Sequence, residues 1–431
     1  MSSYATILST HKRRRLVTKP PRQNVAPPSV LSPLLLEELT VDILSRLPVK
    51  SLIRFSYVSE QWDILLSSSY FIKYHIQRSA SGSRLNNHRL FGGGSFGTCF
   101  WLSLPLSSLI DNPSPSPTLY GRLLSEMCYD PLIVGSCNGL ICWIDYRESG
   151  NYVCYLNPAT RVKTRSPYFC YPSGGESSYN LFGFGYNHIN DTYKTVAIYC
   201  DPEGETIEKK TIVKVYELGA PTTWKKIQSF PFVPKQSVNP DEAPGVFVNG
   251  TLNWLCNRPN DSLVVVSVDL VKDTYEEVSL PGFVDANIHG DVARPSLWVL
   301  GSCLCFSHEK KRTQFVLWQM KVFGDASSWN ILLKISYKDV GINRNTNPNY
   351  PKPLLMLNNG DVILQITEYG DFILYNPKRN SFKYFHWFQS SKSLLDSTVH
   401  IDSLVSPCPN RPHLRSRGRN SRARLAIGTN G

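Results

Sequence analysis

The chain runs to 431 residues, 42% of them hydrophobic, with 46 basic against 34 acidic side chains and a formal charge of +12. That composition fills globular cores for two to three domains. No apolar run approaches the roughly 20 residues that cross a bilayer, which excludes a membrane partner. The first 33 residues carry basic residues and prolines where a secretory signal needs an apolar stretch, so the expected compartment is cytoplasm, nucleus or both.

The charge excess lies in the two ends. Residues 1–33 hold Lys12, Arg13, Arg14, Arg15, Lys19 and Arg22 and no acid; residues 407–431 hold Arg411, Arg415, Arg417, Arg419, Arg422 and Arg424 and no acid. Removing those twelve from the 46 leaves 34 basic against 34 acidic residues, so the body is formally neutral and no specific nucleic-acid partner is expected. Both ends are poor in residues to bury and read as disordered tails. The cluster Lys12–Arg15 fits a nuclear import signal as well as a solvated tail.

After the first tail, Leu36, Leu39, Ile43, Leu44 and Leu47 form the apolar stripe of a helix that ends at Pro48. Glu37, Glu38 and Asp42 lie toward its N-terminal half and Arg46 in its last turn, as the helix dipole favours. Ser51 is expected to cap a second helix whose face is Leu52, Phe55 and Val58, and Ser59 a third carrying Trp62, Leu65 and Leu66. Three helices this short cannot bury so much apolar surface among themselves. Either the chain's own β-domain or a partner must cover the rest.

Leu39, Ile43-Leu44, Arg46 through Leu52, Arg54-Phe55, Val58-Ser59, Trp62 and Tyr70-Phe71, in that order, resemble the F-box of the large plant F-box family over residues 34–79. The resemblance implies docking to the SKP-family adaptor that links F-box proteins to a cullin scaffold. It carries the adaptor-facing role onto Leu35, Ile43, Leu47, Pro48, Leu52, Val58 and Trp62. Such docking is helix-in-groove binding with a few apolar anchors. Three positions depart from the family's pattern: Leu36 replaces the usual Pro, Ser56-Tyr57 the usual Arg-Cys, and Glu60-Gln61 the usual Lys-Ser.

Residues 80–130 read as linker and first strands. Gly92-Gly93-Gly94 and Pro113 through Pro117 suggest loops on either side of a short strand, Thr98–Leu104. Gly92, Gly94 and Gly97 satisfy G-x-G-x-x-G, but without a strand before and a helix after them they do not make a dinucleotide site. From Pro131 to Ser406 short apolar or alternating runs follow one another between turn residues, as in Ile133–Ile144, Leu181–Tyr186 and Leu263–Leu270, and convincing helical periods are absent. Strand-turn-strand units recur around Asn157-Pro158, Asp269-Leu270 and Asn376-Pro377, with longer versions ending at Trp224 and Trp329. Centres some 50–60 residues apart suit propeller blades, about six of them.

The same segments resemble the F-box-associated interaction domain that follows plant F-boxes. The likeness rests on Gly135 through Leu140, Leu156 through Thr160, Phe182 through Tyr186 with Asp191 through Lys194, Gly245 through Gly250, Trp254, Val266 through Leu270, and Leu300 through Leu304. Strict kelch repeats, with a double glycine in every blade, are not present. The expected fold is thus α+β and multidomain: a three-helix F-box followed by an all-β domain, a β-propeller of about six blades, with a large β-sandwich as the alternative.

No catalytic constellation converges. The eleven cysteines are odd in number and sit mostly in strand-like segments, as buried small hydrophobes of a reducing compartment do. Cys303 and Cys305 near His308 lack zinc spacing and a second ligand pair, and His188 is expected to face solvent in a hairpin turn. No metal, cofactor or catalytic residue is assigned. Three readings stand: a non-catalytic substrate receptor of an SKP-cullin-F-box ubiquitin ligase with an unknown protein target, an F-box-like interaction protein outside the ligase, and a propeller enzyme or sugar-binding module.

Overall fold

The computed structural model describes residues 33–408 except 82–84, 96–98, 112–117, 120–131, 148–149, 170–177, 202–209, 221–222, 236–243, 261, 283–291, 343–349, 367–370 and 387–395. The chain divides into two units, Met1–Ile43 and Leu44–Gly431. Helix α1 (Pro33–Ser45) spans the division.

Helix α2 (Val49–Phe55) starts directly after Pro48, which sits in extended backbone at φ −61°, ψ 145° and supplies no side-chain cap. Ser51, the expected cap, lies inside the helix. Proline's fixed φ pre-sets the turn, and the Pro48 carbonyl accepts from the Ser51 and Leu52 N–H groups at 2.9 and 3.2 Å. Helix α3 (Glu60–Ser67) is capped as expected, the Ser59 hydroxyl accepting from the Trp62 N–H at 3.1 Å. A fourth helix, α4 (Ser69–Ser81), follows the three that the apolar spacing predicts. Ser68 separates it from α3 by turning to extended backbone, and its hydroxyl accepts from the Phe71 N–H at 3.2 Å. Leu52, Leu66 and Phe71 have no exposed surface and hold the helical layer together.

The rest is a six-bladed propeller, each blade an antiparallel sheet. Blade two comprises Leu132–Cys137, Leu140–Arg147, Gly150–Asn157 and Val162–Arg165; blade three Tyr179–Asn187, Thr192–Cys200, Thr211–Glu217 and Lys225–Lys226. Blade four comprises Val246–Val248, Thr251–Asn257, Leu263–Asp269 and Thr274–Val278, with Val233–Pro234 added beside Thr251–Asn257. Blade five runs Val292–Leu300, Cys303–Lys310, Gln314–Met320, Trp329–Ser336, and blade six Lys352–Met356, Val362–Gln365, Asp371–Asn376, Ser381–His386. In each of these five, the first strand is innermost, touching its counterparts in the neighbouring blades.

Blade one closes the ring. Its outer strands are His88–Ser95, Cys99–Pro105 and Thr118–Leu119, while its inner strand is Asp396–Ile401, paired so that Leu90 faces Val399. Both flanking inner strands bind this closing strand. The Ser136 hydroxyl donates to the Val399 carbonyl at 2.6 Å, and the Lys352 ammonium to the Ser397 carbonyl at 2.7 Å.

Six apolar clusters fill the six gaps between blades, and this excludes a sandwich, which would have one continuous core between two sheets. The tryptophans expected in blade cores lie there: Trp254 and Trp329 are buried, and Trp224, Trp298 and Trp318 pack against the clusters. Gly183 and Gly245 explain part of the glycine-rich pattern. A Cβ on either would come within 2.6 and 2.2 Å of Trp254 Cζ2, so the indole of blade four lies flat on bare backbone. Gly92–Gly94, expected as loop, belong to the strand His88–Ser95. Gly93 pairs with Trp101, whose ring would lie 3.2 Å from a Cβ there. Gly97 falls outside the described residues, and helix α5 (Leu106–Asp111) follows Pro105.

Candidate functional site

Antiparallel blades give the propeller two unlike faces. On one, the turn face, first strands lead to second and third to fourth, mostly through short turns. Repeated Asn and Asp residues build several of them. Asn157 Oδ1 accepts from the Ala159 and Thr160 N–H groups at 2.9 and 3.1 Å, Asn187 from Ile189 and Asn190 at 3.0 and 3.3 Å, and Asp269 from Val271 and Lys272 at 2.7 and 3.0 Å. The Asn157 amide also donates to the Ser403 and Val405 carbonyls at 2.9 and 2.7 Å, fastening the segment after the closing strand. On the opposite, loop face lie the strand ends that the longer connections join, Arg165 and Tyr179, Cys200 and Thr211, Val278 and Val292, and Ser336 and Lys352.

Helix α4 packs on the turn face. Ile72 and Ile76 enter the core between blades two and three, and Lys73 pairs with Asp191 of a blade-three turn at 3.0 Å. Burial pushes the Asp191 carboxyl up, but bonds from Tyr186, Lys73 and Ser69 outweigh it and hold the group below its ordinary value. His75, buried, bonds the Leu47 carbonyl through Nε2 at 3.0 Å and so ties α4 to the chain ahead of α2. Burial lowers its affinity for a proton.

On the helical surface Pro48 is exposed, Val58 is 67% exposed and Ile64 53% exposed, while Leu47 and Trp62 are half-buried. Trp62 meets Phe55 edge to face at 5.4 Å. Leu52 is enclosed, inside the helical layer rather than on its surface. In the N-terminal unit Ile43 is 60% exposed, and the Leu35 side chain lies outside the described residues.

Residues 112–400 match the family described as the F-box associated beta propeller domain, two thirds of the chain. This chain belongs to that family. Residues 34–74 match the F-box domain. An F-box/kelch-repeat protein of Arabidopsis thaliana is 29% identical over 379 residues, covering 86% of this chain and 95% of that one. Another F-box protein of the same plant is 26% identical over 396 residues, covering 84% and 97%. The F-box protein described here thus joins an F-box to an F-box-associated propeller, and its first-blade strands His88–Ser95 and Cys99–Pro105 precede the matched stretch.

The positions at which this F-box departs from its family are now placed. Ser56 is buried, its hydroxyl donating to the Ile53 carbonyl at 2.8 Å, whereas Tyr57 and Glu60 are exposed. Leu36, like Leu35, has no described side chain.

In the propeller, burial pushes the Cys200 and Cys305 thiols up to about 12 and raises those of Cys137, Cys142 and Cys256 as well, so none of these is a thiolate near neutral pH. Cys303 and Cys305 stand two residues apart on one strand and therefore share a face. Among the described residues no three His, Cys, Asp or Glu side chains are grouped to hold a metal, and no helix is long and apolar enough to cross a membrane. His188 is exposed.

Sequence reasoning missed Lys73 with Asp191, and an inter-blade ion triad. Lys194 of blade three, 6% exposed, donates to Asp273 Oδ1 of blade four at 2.7 Å, and Lys225 reaches Oδ2 at 3.1 Å. In the sequence only Asp273, an acid at the end of a recognisable turn, hinted at it.

Proposed function

We propose that this F-box protein is the substrate-recognition subunit of an SKP-cullin-F-box ubiquitin ligase, binding the adaptor through its helices and a target protein through the loop face. The supporting observation is the seating of α4. Ile72, Ile76 and Lys73 fasten the helical layer to the turn face, which leaves the opposite face of the propeller for a second protein. The adaptor-facing set is Leu35, Ile43, Leu47, Pro48, Val58 and Trp62, with Leu52 supporting α2 from beneath. Exposed apolar side chains such as Val58 are what helix-in-groove docking uses.

In this role the chain contributes no nucleophile, metal or cofactor. It raises the rate of ubiquitin transfer by holding the target near the charged conjugating enzyme, a gain in effective concentration. Replacing Leu47 and Pro48 together by Ala is expected to abolish co-purification of the adaptor while the propeller's thermal transition persists; undiminished recovery of adaptor would sink the assignment. The same full-length variant, expressed with the proteasome inhibited, should still retain targets for mass spectrometry.

A further inference from the structure

Lys310, Lys311 and Arg312 make the only run of three basic residues between residues 34 and 406. The fold sets that run at the turn between the second and third strands of blade five, on the loop face. The Thr313 N–H donates to the Lys310 carbonyl at 3.1 Å, and Lys311 and Arg312 lie at φ 52° and 55°. That is the backbone sense of the mirror-image hairpin turn, which Asn-Gly fills without strain and which long side chains normally avoid. The Tyr337 N–H donates to the Thr313 carbonyl at 2.9 Å and brings Lys338, at the start of the next connection, alongside.

All four cationic side chains are exposed, and none makes a hydrogen bond or ion pair with any described residue. Elsewhere in the propeller Lys194, Lys225 and Arg258 are each paired with a carboxylate. Among the described residues two acids flank these cations in the chain. Asp339 is exposed beside Lys338, and Glu309, 1% exposed, is engaged by the Tyr337 hydroxyl at 2.7 Å and by Arg294 at 4.0 Å. Among the described residues, one exposed carboxylate therefore stands against four cations without a carboxylate partner.

We infer that this corner of blade five docks an acidic segment of the target polypeptide, an inference that rests on the loop face being the target-binding face. Clustered cations without internal partners attract and orient anionic side chains, chiefly raising the association rate and the selectivity for acidic partners. A polypeptide fits better than a nucleic acid. The cations occupy one turn and its neighbour rather than a stripe, and the aromatic residues within three positions of them in the chain, Phe315 and Tyr337, are buried.

The test uses the full chain co-purified with its adaptor and a fluorescein-labelled decapeptide of alternating Glu and Ser, with a Gln version and a single-stranded RNA of equal length as comparators. Lys311→Asn with Arg312→Gly installs the pair this turn prefers, so the melting temperature should hold or rise. Affinity for the Glu peptide at physiological salt is expected to fall by about tenfold, and a photo-crosslinkable Glu peptide should mark residues around 310–313 and 338. Equal affinity in wild type and variant, crosslinks confined to the basic tails, or tighter binding of the RNA would each overturn the inference. Adaptor retained with no peptide bound would refute the corner and leave the ligase reading standing; peptide bound at the corner with no adaptor retained would do the reverse.

Discussion

Replacing Asp273 by Asn is expected to destabilise the propeller by about 3–5 kcal/mol. Asn tolerates the αL backbone at φ 56° as well as Asp does, so the turn is held constant and only the charge changes. Lys194 lies 6% exposed and 2.7 Å from Asp273 Oδ1. At an effective dielectric constant of about 20, that separation corresponds to an attraction of about 6 kcal/mol, most of which offsets the desolvation of the ammonium. Removing the carboxylate leaves Lys194 buried and uncompensated between blades three and four. Lys225, 69% exposed, should contribute less than about 1 kcal/mol on substitution by Met. Urea titration followed by tryptophan fluorescence gives the free energies, and the double variant Lys194→Met, Asp273→Asn should recover most of the loss. At about 2 cal/mol/K of unfolding entropy per residue over the propeller, His88 to Cys408, the single substitution lowers the melting temperature by roughly 5–8 °C. An Asp273→Asn protein within about 1 kcal/mol of wild type, or a double variant no better than it, would show that the triad carries no such coupling.

Three further outcomes are expected. Asn157→Asp keeps the oxygen that caps the turn but sets a second oxygen against the Ser403 and Val405 carbonyls; a loss of about 2–4 kcal/mol should appear as faster hydrogen exchange over residues 403–408. Gly245→Ala would drive a methyl to 2.2 Å from Trp254 Cζ2, so the urea midpoint should fall by the equivalent of about 1–3 kcal/mol, with a change in tryptophan emission. His400 is enclosed; burial, with smaller contributions from Arg89 and His88, holds its imidazole at about 3 against 6.5 when free. The unfolded chain therefore binds a proton that the native state refuses, and stability is complete above pH 6.5 and declines as pH falls toward 3. Between pH 7 and pH 5 His400 alone accounts for a loss of about 2 kcal/mol. His75 and His308, also depressed by burial, act in the same direction. Stability measured at both pH values should differ by about 2 kcal/mol less in His400→Phe; an unchanged difference would remove His400 as the cause.

Much of the molecule could be read directly along the chain. The stripe ending at Pro48, the Ser59 cap and the Asn157, Asp269 and Asn376 turns depend on residues within a few positions of one another, and each appears where the spacing places it. The candidate adaptor surface was legible only in part. Pro48 and Val58 face outward, but Leu52 turns inward, because a short helix with apolar residues on several sides does not itself specify which side its own domain covers. The basic corner needed the fold as well: Lys338 joins Lys310–Arg312 only through the pairing of strands that bring Tyr337 to Thr313.

Sequence alone determined helices followed by strand-turn units at blade spacing, since periodicity and turn chemistry are properties of contiguous residues. Tertiary structure decided what contiguous residues cannot encode. It made Gly92–Gly94 a strand by laying Trp101 across Gly93, and it closed the ring by pairing Leu90 with Val399. It also seated α4 on the turn face. Such pairings join residues tens to hundreds of positions apart, and they hold only because every blade must bury both of its faces against neighbours in a closed ring.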